Sequence, residues 1–165
     1  MDKFLNELPK VAAEKLVENK KYFAKLKKRT PKRLDLLMQD LHEKEFEKTD
    51  CLTCGNCCKT TSPIFTEKDI QLISKHLKMK EVNFISEYLE RDTDDFYVLK
   101  TAPCSFLDLQ DNTCFIYEHR PKACREYPHT NRRKFIQLTN LTIKNTEICP
   151  AVYNIVEALK KKLPL

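Results

Sequence analysis

Residues 51–58 read Cys51-Leu52-Thr53-Cys54-Gly55-Asn56-Cys57-Cys58, four cysteines in eight positions around the only glycine of the 165-residue chain. Two C-x2-C spacings overlap in this stretch and share Cys54. That spacing lets both sulfurs turn towards one ion, which is why it recurs in zinc knuckles and in iron–sulfur ligation. Gly55 is the residue type that takes a left-handed backbone without strain. A positive-φ turn is therefore expected inside the loop, bringing backbone amides towards the thiolates. Cys57 and Cys58 are adjacent, and neighbouring side chains diverge, so the pair is expected to serve two centres or to bridge them.

Moving outward, Cys104, Cys114 and Cys124 follow with nine residues between each, and Cys149 closes the set. Eight thiols divide into two sets of four, the number preferred by structural zinc and by cubane clusters. Cys51, Cys54, Cys57, Cys58, Cys104, Cys114, Cys124 and Cys149 are the expected metal ligands, for zinc or for iron, the latter including an iron–sulfur cluster. Four thiolates around a divalent ion leave a net negative charge, which calls for cations and N–H donors alongside. Arg120 and Arg125 are the candidates, with Arg132 and Arg133 behind them. His119 and His129 flank Cys124, but eight cysteines leave them no necessary role as ligands. Tyr117 and Tyr127 read as core aromatics.

The alternative to ligation is disulfide bonding, and here composition and compartment bear on the choice. A chain of this length can bury a modest core without cross-links. Its N-terminus, from Met1 to Lys10, has no apolar h-region, and no stretch approaches the roughly 18 apolar residues of a membrane span. The expected location is cytoplasmic, where thiols stay reduced and clustered cysteines bind metal or do chemistry. One glycine cannot build a P-loop or a dinucleotide turn, and no Ser/His/Asp order stands out. The net charge of +6 is uneven. Residues 1–35 hold 11 Lys and Arg against 5 Asp and Glu, and residues 36–165 hold 19 of each. A second basic run is Lys160-Lys161-Lys162. Solvated helix faces account for such charge, with nucleic acid as the weaker alternative.

The pattern predicts a mainly α fold with short β strands: a small, irregular, metal-stabilised α+β module preceded by a helical hairpin. The hairpin is expected over 1–47 and the cysteine-cluster domain over 48–165. Helical spacing runs from Pro9 to about Leu26. Thr30-Pro31 reads as the start of a second helix carrying Leu34, Leu37 and Leu41. Residues 48–62 are expected as a loop, and Thr66-Glu67-Lys68-Asp69 as a capping signal. A short helix is expected from Val82 to Leu89, strands at 96–99 and at Phe135 to Ile143, irregular chain from Pro103 to Pro128, and a final helix opened by Cys149-Pro150.

With those residues in view, the chain resembles the CxxCxxCC cysteine-cluster family of zinc- or iron-chelating domains. The resemblance rests on C-L-T-C-G-N-C-C at 51–58, on Cys104-Ser105-Phe106-Leu107-Asp108, on Cys114-Phe115-Ile116-Tyr117 and on Arg120 to Pro128. It covers roughly residues 48–155. It extends to the cysteine motif of the flagellin lysine-N-methylases, where the motif is associated with an iron–sulfur centre. The chain lacks the methylases' additional length, so their activity is not carried over. The resemblance implies a metal-binding protein. Two other readings stand beside it: an iron–sulfur redox or radical-type enzyme, and a zinc-ribbon-like nucleic-acid-binding protein. Metal ions are the expected partners, with no membrane.

Overall fold

The computed structural model describes residues 2–165, with side chains from Phe4 onward. It is predominantly helical. The order is α1 (Asp2–Lys28), α2 (Leu34–Phe46), α3 (Cys51–Cys54), α4 (Asn56–Thr60), α5 (Glu67–His76), α6 (Glu81–Tyr88), β1 (Leu89–Arg91), β2 (Tyr97–Leu99), α7 (Lys122–Glu126), α8 (Thr139–Asn145) and α9 (Pro150–Lys162). Single 3-10 turns lie at Tyr117–His119 and Phe135–Leu138. Among the described residues no helix is long and apolar enough to cross a membrane.

By contacts the chain forms two compact units, one of residues 1–50 with 128–165 and the other of residues 51–127. The chain passes into the second unit after Asp50 and returns to the first at Pro128.

The first unit is a helical bundle. α1 buries Leu8, Ala12, Tyr22, Phe23 and Leu26, and α9 buries Val152, Ile155, Val156 and Leu159. Both sets follow the i, i+3, i+4 rhythm of one helix face. Leu34, Met38 and Leu41 of α2, with Phe135 and Ile143, pack in one cluster with Tyr22, Phe23, Leu26 and the four α9 residues. Burying each such side chain stabilises by about 1.5–3 kcal/mol, so the bundle has a core of its own. α1 begins at Asp2, ahead of the expected start, and carries Pro9 inside it.

Two local elements differ from the expectation. Thr30 does not cap α2: its hydroxyl donates to the Leu26 carbonyl at 3.1 Å, closing the end of α1. α2 starts at Leu34 after a turn in which Leu34 N–H donates to Pro31 O, and Arg33 makes no side-chain cap. The expected strand from Phe135 to Ile143 is instead a 3-10 turn running into α8. The weak apolar alternation from Phe135 to Ile143 suits a strand, and the threonines within it are common in strands as well. In the structure Thr139 and Thr142 face the interior and donate to the Ile136 and Leu138 carbonyls. Back-bonding of this kind lets a hydroxyl be buried on a helix.

The second unit is smaller. Phe65, Ile70, Ile73, Phe84, Leu89, Leu99, Phe106 and Ile116 form its core. β1 and β2 pair antiparallel, Leu89 opposite Leu99. Thr66 and Asp69 make the reciprocal capping box at the start of α5, and Asp69 is buried.

Candidate metal centre

The stretch 51–58 is not a loop but two short helices joined at Gly55, whose φ of +57° is left-handed. The Gly55 N–H donates to the Cys51 carbonyl at 2.8 Å, so it closes a backbone turn. A second reason for glycine lies across the unit. A Cβ at this position would stand 2.8 Å from Cγ and Oδ1 of Asn112. The Asn112 amide in turn donates to the Leu52 carbonyl at 2.9 Å, tying the turn before Cys114 to the first cysteine segment.

All eight thiols are unbridged, Cys51 exposed and the others half-buried. Cys57 Sγ lies 4.0 Å from Cys58 Sγ. The Cys104 N–H donates to the Cys58 carbonyl at 2.8 Å, and Leu107 N–H to the Cys104 carbonyl at 3.0 Å. Leu107 bridges antiparallel to Cys114. Backbone hydrogen bonds thus link Cys58, Cys104 and Cys114. Cys124 comes from α7, whose first amide, Lys122 N–H, donates to Asp69 Oδ1 at 3.0 Å.

Electrostatics groups the same sulfurs. Burial pushes the Cys124 thiol up to about 12, with the charges of Cys58, Cys104 and Cys114 adding to the rise. Burial raises Cys104 to about 11, with Cys58 and Cys114 contributing. Cys114 is raised by burial and by Cys58. Every pair among Cys58, Cys104, Cys114 and Cys124 is therefore close enough to interact. Cys58 runs the opposite way, down to about 7, chiefly because the Cys57 thiol hydrogen-bonds to it, with Lys59 helping. The four sulfurs are grouped without meeting at ligand distances: among the described residues no three His, Cys, Asp or Glu side chains converge enough to hold a metal ion.

Of the expected cations, Arg120 bears on this group, its charge lowering both Cys114 and Cys124. Its guanidinium lies over the Tyr117 ring, 3.8 Å from the centroid, and donates to the Tyr117 carbonyl at 2.6 Å. Arg125 donates to the Arg120 carbonyl and lies 3.9 Å from Asp69 Oδ1, so it braces the segment. His119 stacks on His76 with centroids 4.1 Å apart. Arg132, Arg133, His129 and Cys149 belong to the first unit. Cys149 is the N-cap of α9 and packs against that unit's apolar core. Asn112 and Asp69 were missed as positioning residues. The Asp69 carboxylate was legible only as a cap, and nothing local marks Asn112.

A family model described as CxxCxxCC, "Putative zinc- or iron-chelating domain", matches residues 50–150. No solved structure matches the chain.

Proposed function

Because the chain belongs to the CxxCxxCC family, we propose that the protein chelates zinc or iron through its cysteines, with Cys58, Cys104, Cys114 and Cys124 as one four-thiolate set. The observation that carries this is the mutual electrostatic reach of those four sulfurs, delivered by four separate chain segments. Thiolate suits both metals, and four is the complete set for a closed tetrahedral site. Burial that raises the thiol pKa values disfavours bare thiolates, so the group needs a cation, and Arg120 supplies part of that charge. Cys51, Cys54 and Cys57 remain as a second thiol group on α3 and α4. Cys149 is the eighth thiol of the expected ligands.

The donor set fits a thiophilic ion in chemistry. When bound, the ion would offset part of the thiolates' charge and join segments that the small core of the second unit holds only in part. Arg120 and Arg125 would steady the site from outside.

The test is elemental analysis and X-ray absorption on protein purified anaerobically. Close to four sulfurs per metal is expected, and serine at Cys58, Cys104, Cys114 or Cys124 should each remove about one metal equivalent. Full metal retention in those four variants would refute the grouping.

A further inference from the structure

Charge divides between the two units more sharply than along the sequence. The first unit holds 20 Lys and Arg against 12 Asp and Glu, whereas the second holds 10 against 12. From Asn19 to Leu34 there are eight Lys and Arg and no acid, and from Pro128 to Thr146 four more and again no acid. The fold brings these two acid-free stretches together beside Asp35. Asp35, in the first turn of α2, accepts the Lys134 N–H at 2.7 Å on Oδ2 and the Phe135 N–H at 3.0 Å on Oδ1. Phe135 is buried beside Phe23, with ring centroids 6.2 Å apart, which anchors the segment.

We propose that the corner formed by Lys28, Arg29, Lys32, Arg33, Arg133 and Lys134 docks the phosphate backbone of a nucleic acid strand. All six side chains are exposed. Arg29, Arg33 and Arg133 make no ion pair among the described residues, whereas Arg91 pairs with Asp95 and Arg120 and Arg125 are held by local carbonyls. The Asp35 carboxylate beside them already accepts two backbone amides. Guanidinium forks match phosphate oxygens. Leu36 is the exposed large apolar side chain in this turn. A protein interface needs an apolar centre and a membrane-lying face needs an apolar stripe, so a polyanion contacted by charge alone fits best. The inference stands independently of the metal reading.

The experiment is fluorescence anisotropy on the full chain, with an oligouridine of about 20 nucleotides and a DNA duplex of similar length. Binding of at least one is expected. For about five phosphate contacts it should weaken roughly 100-fold for the single strand, or roughly 500-fold for the duplex, between about 50 and 200 mM salt. Combined Arg29→Glu, Arg33→Glu and Arg133→Glu should weaken it more than tenfold, while Lys75→Glu with Lys80→Glu in the second unit should leave it unchanged. Should the reversal variant fail to fold by circular dichroism, Arg33→Gln and Arg133→Gln are read singly. Each should lower the salt slope by about 0.7 to 0.9. No binding to either probe at low salt overturns the proposal. So does wild-type affinity in the corner variants, equal loss in the control, or stronger binding to phosphatidylserine vesicles or polyglutamate than to nucleic acid.

Discussion

Gly55 answers two demands at once, a left-handed turn and an absent Cβ where the Asn112 side chain sits. The strain of a left-handed non-glycine residue is about 1–2 kcal/mol, and displacing Asn112 breaks its hydrogen bond to Leu52 for about another 1 kcal/mol. Gly55→Ala is thus expected to destabilise the protein by about 2–3 kcal/mol in urea unfolding. With Asn112→Gly already in place, where the backbone is also left-handed at φ 60°, the alanine should cost only the strain. Equal losses in both backgrounds would remove Asn112 from the account. The thiols give a pH dependence. In the metal-free, reduced chain burial pushes the Cys104 and Cys124 thiols up to about 11 and about 12, above the unfolded value of about 8.5. Their contribution is complete below pH ~8.5 and is lost as the pH rises through about 11 to 12. Cys58, at about 7, contributes above pH ~8.5 and loses that as the pH falls through about 7. Thermal midpoints of the metal-free chain should therefore peak near pH ~8.5 and fall towards pH ~11. The metal-loaded chain, its thiolates carrying no proton, should lack the alkaline fall.

Helix α5 was the most legible element, since a capping box is written in four consecutive residues, Thr66 to Asp69. Its second task was not legible, because the partner, Lys122 N–H, lies 53 residues away. The two roles separate by mutation. Thr66→Ala should cost about 1 kcal/mol, the usual worth of an N-cap, and leave metal content unchanged. Asp69→Ala should cost about 2–4 kcal/mol, because the buried carboxylate accepts from the Thr66 N–H and hydroxyl as well as from the Lys122 N–H, and should lower metal occupancy by freeing the helix that bears Cys124. Metal content untouched by Asp69→Ala would show that α7 is positioned without it. α8 marks the opposite case. Weak alternation there suits a strand, yet hydroxyl back-bonding permits a helix, and only packing against the bundle could decide between them.

The two units have separate apolar cores, of twelve and eight buried residues. The smaller one gathers chain around half-buried thiols. Chelation under reducing conditions should therefore open residues 51–127 while α1, α2 and α9 keep their protection, read by hydrogen exchange with mass spectrometry. Protection retained equally throughout a metal-free sample would exclude a structural role for the metal. The sequence alone determined the thiol inventory, the C-x2-C spacings, the need for glycine at 55 and the amphipathic stripe of α9. Each of these is set by a residue's own chemistry or by neighbours within one or two turns. The tertiary structure decided that Cys58, Cys104, Cys114 and Cys124 share one electrostatic neighbourhood, that Asn112 fills the space beside Gly55, and that the chain beyond Pro128 returns to the N-terminal helices. Those facts depend on contacts between residues tens of positions apart, and local periodicity carries no record of which distant segments the buried surface will bring together.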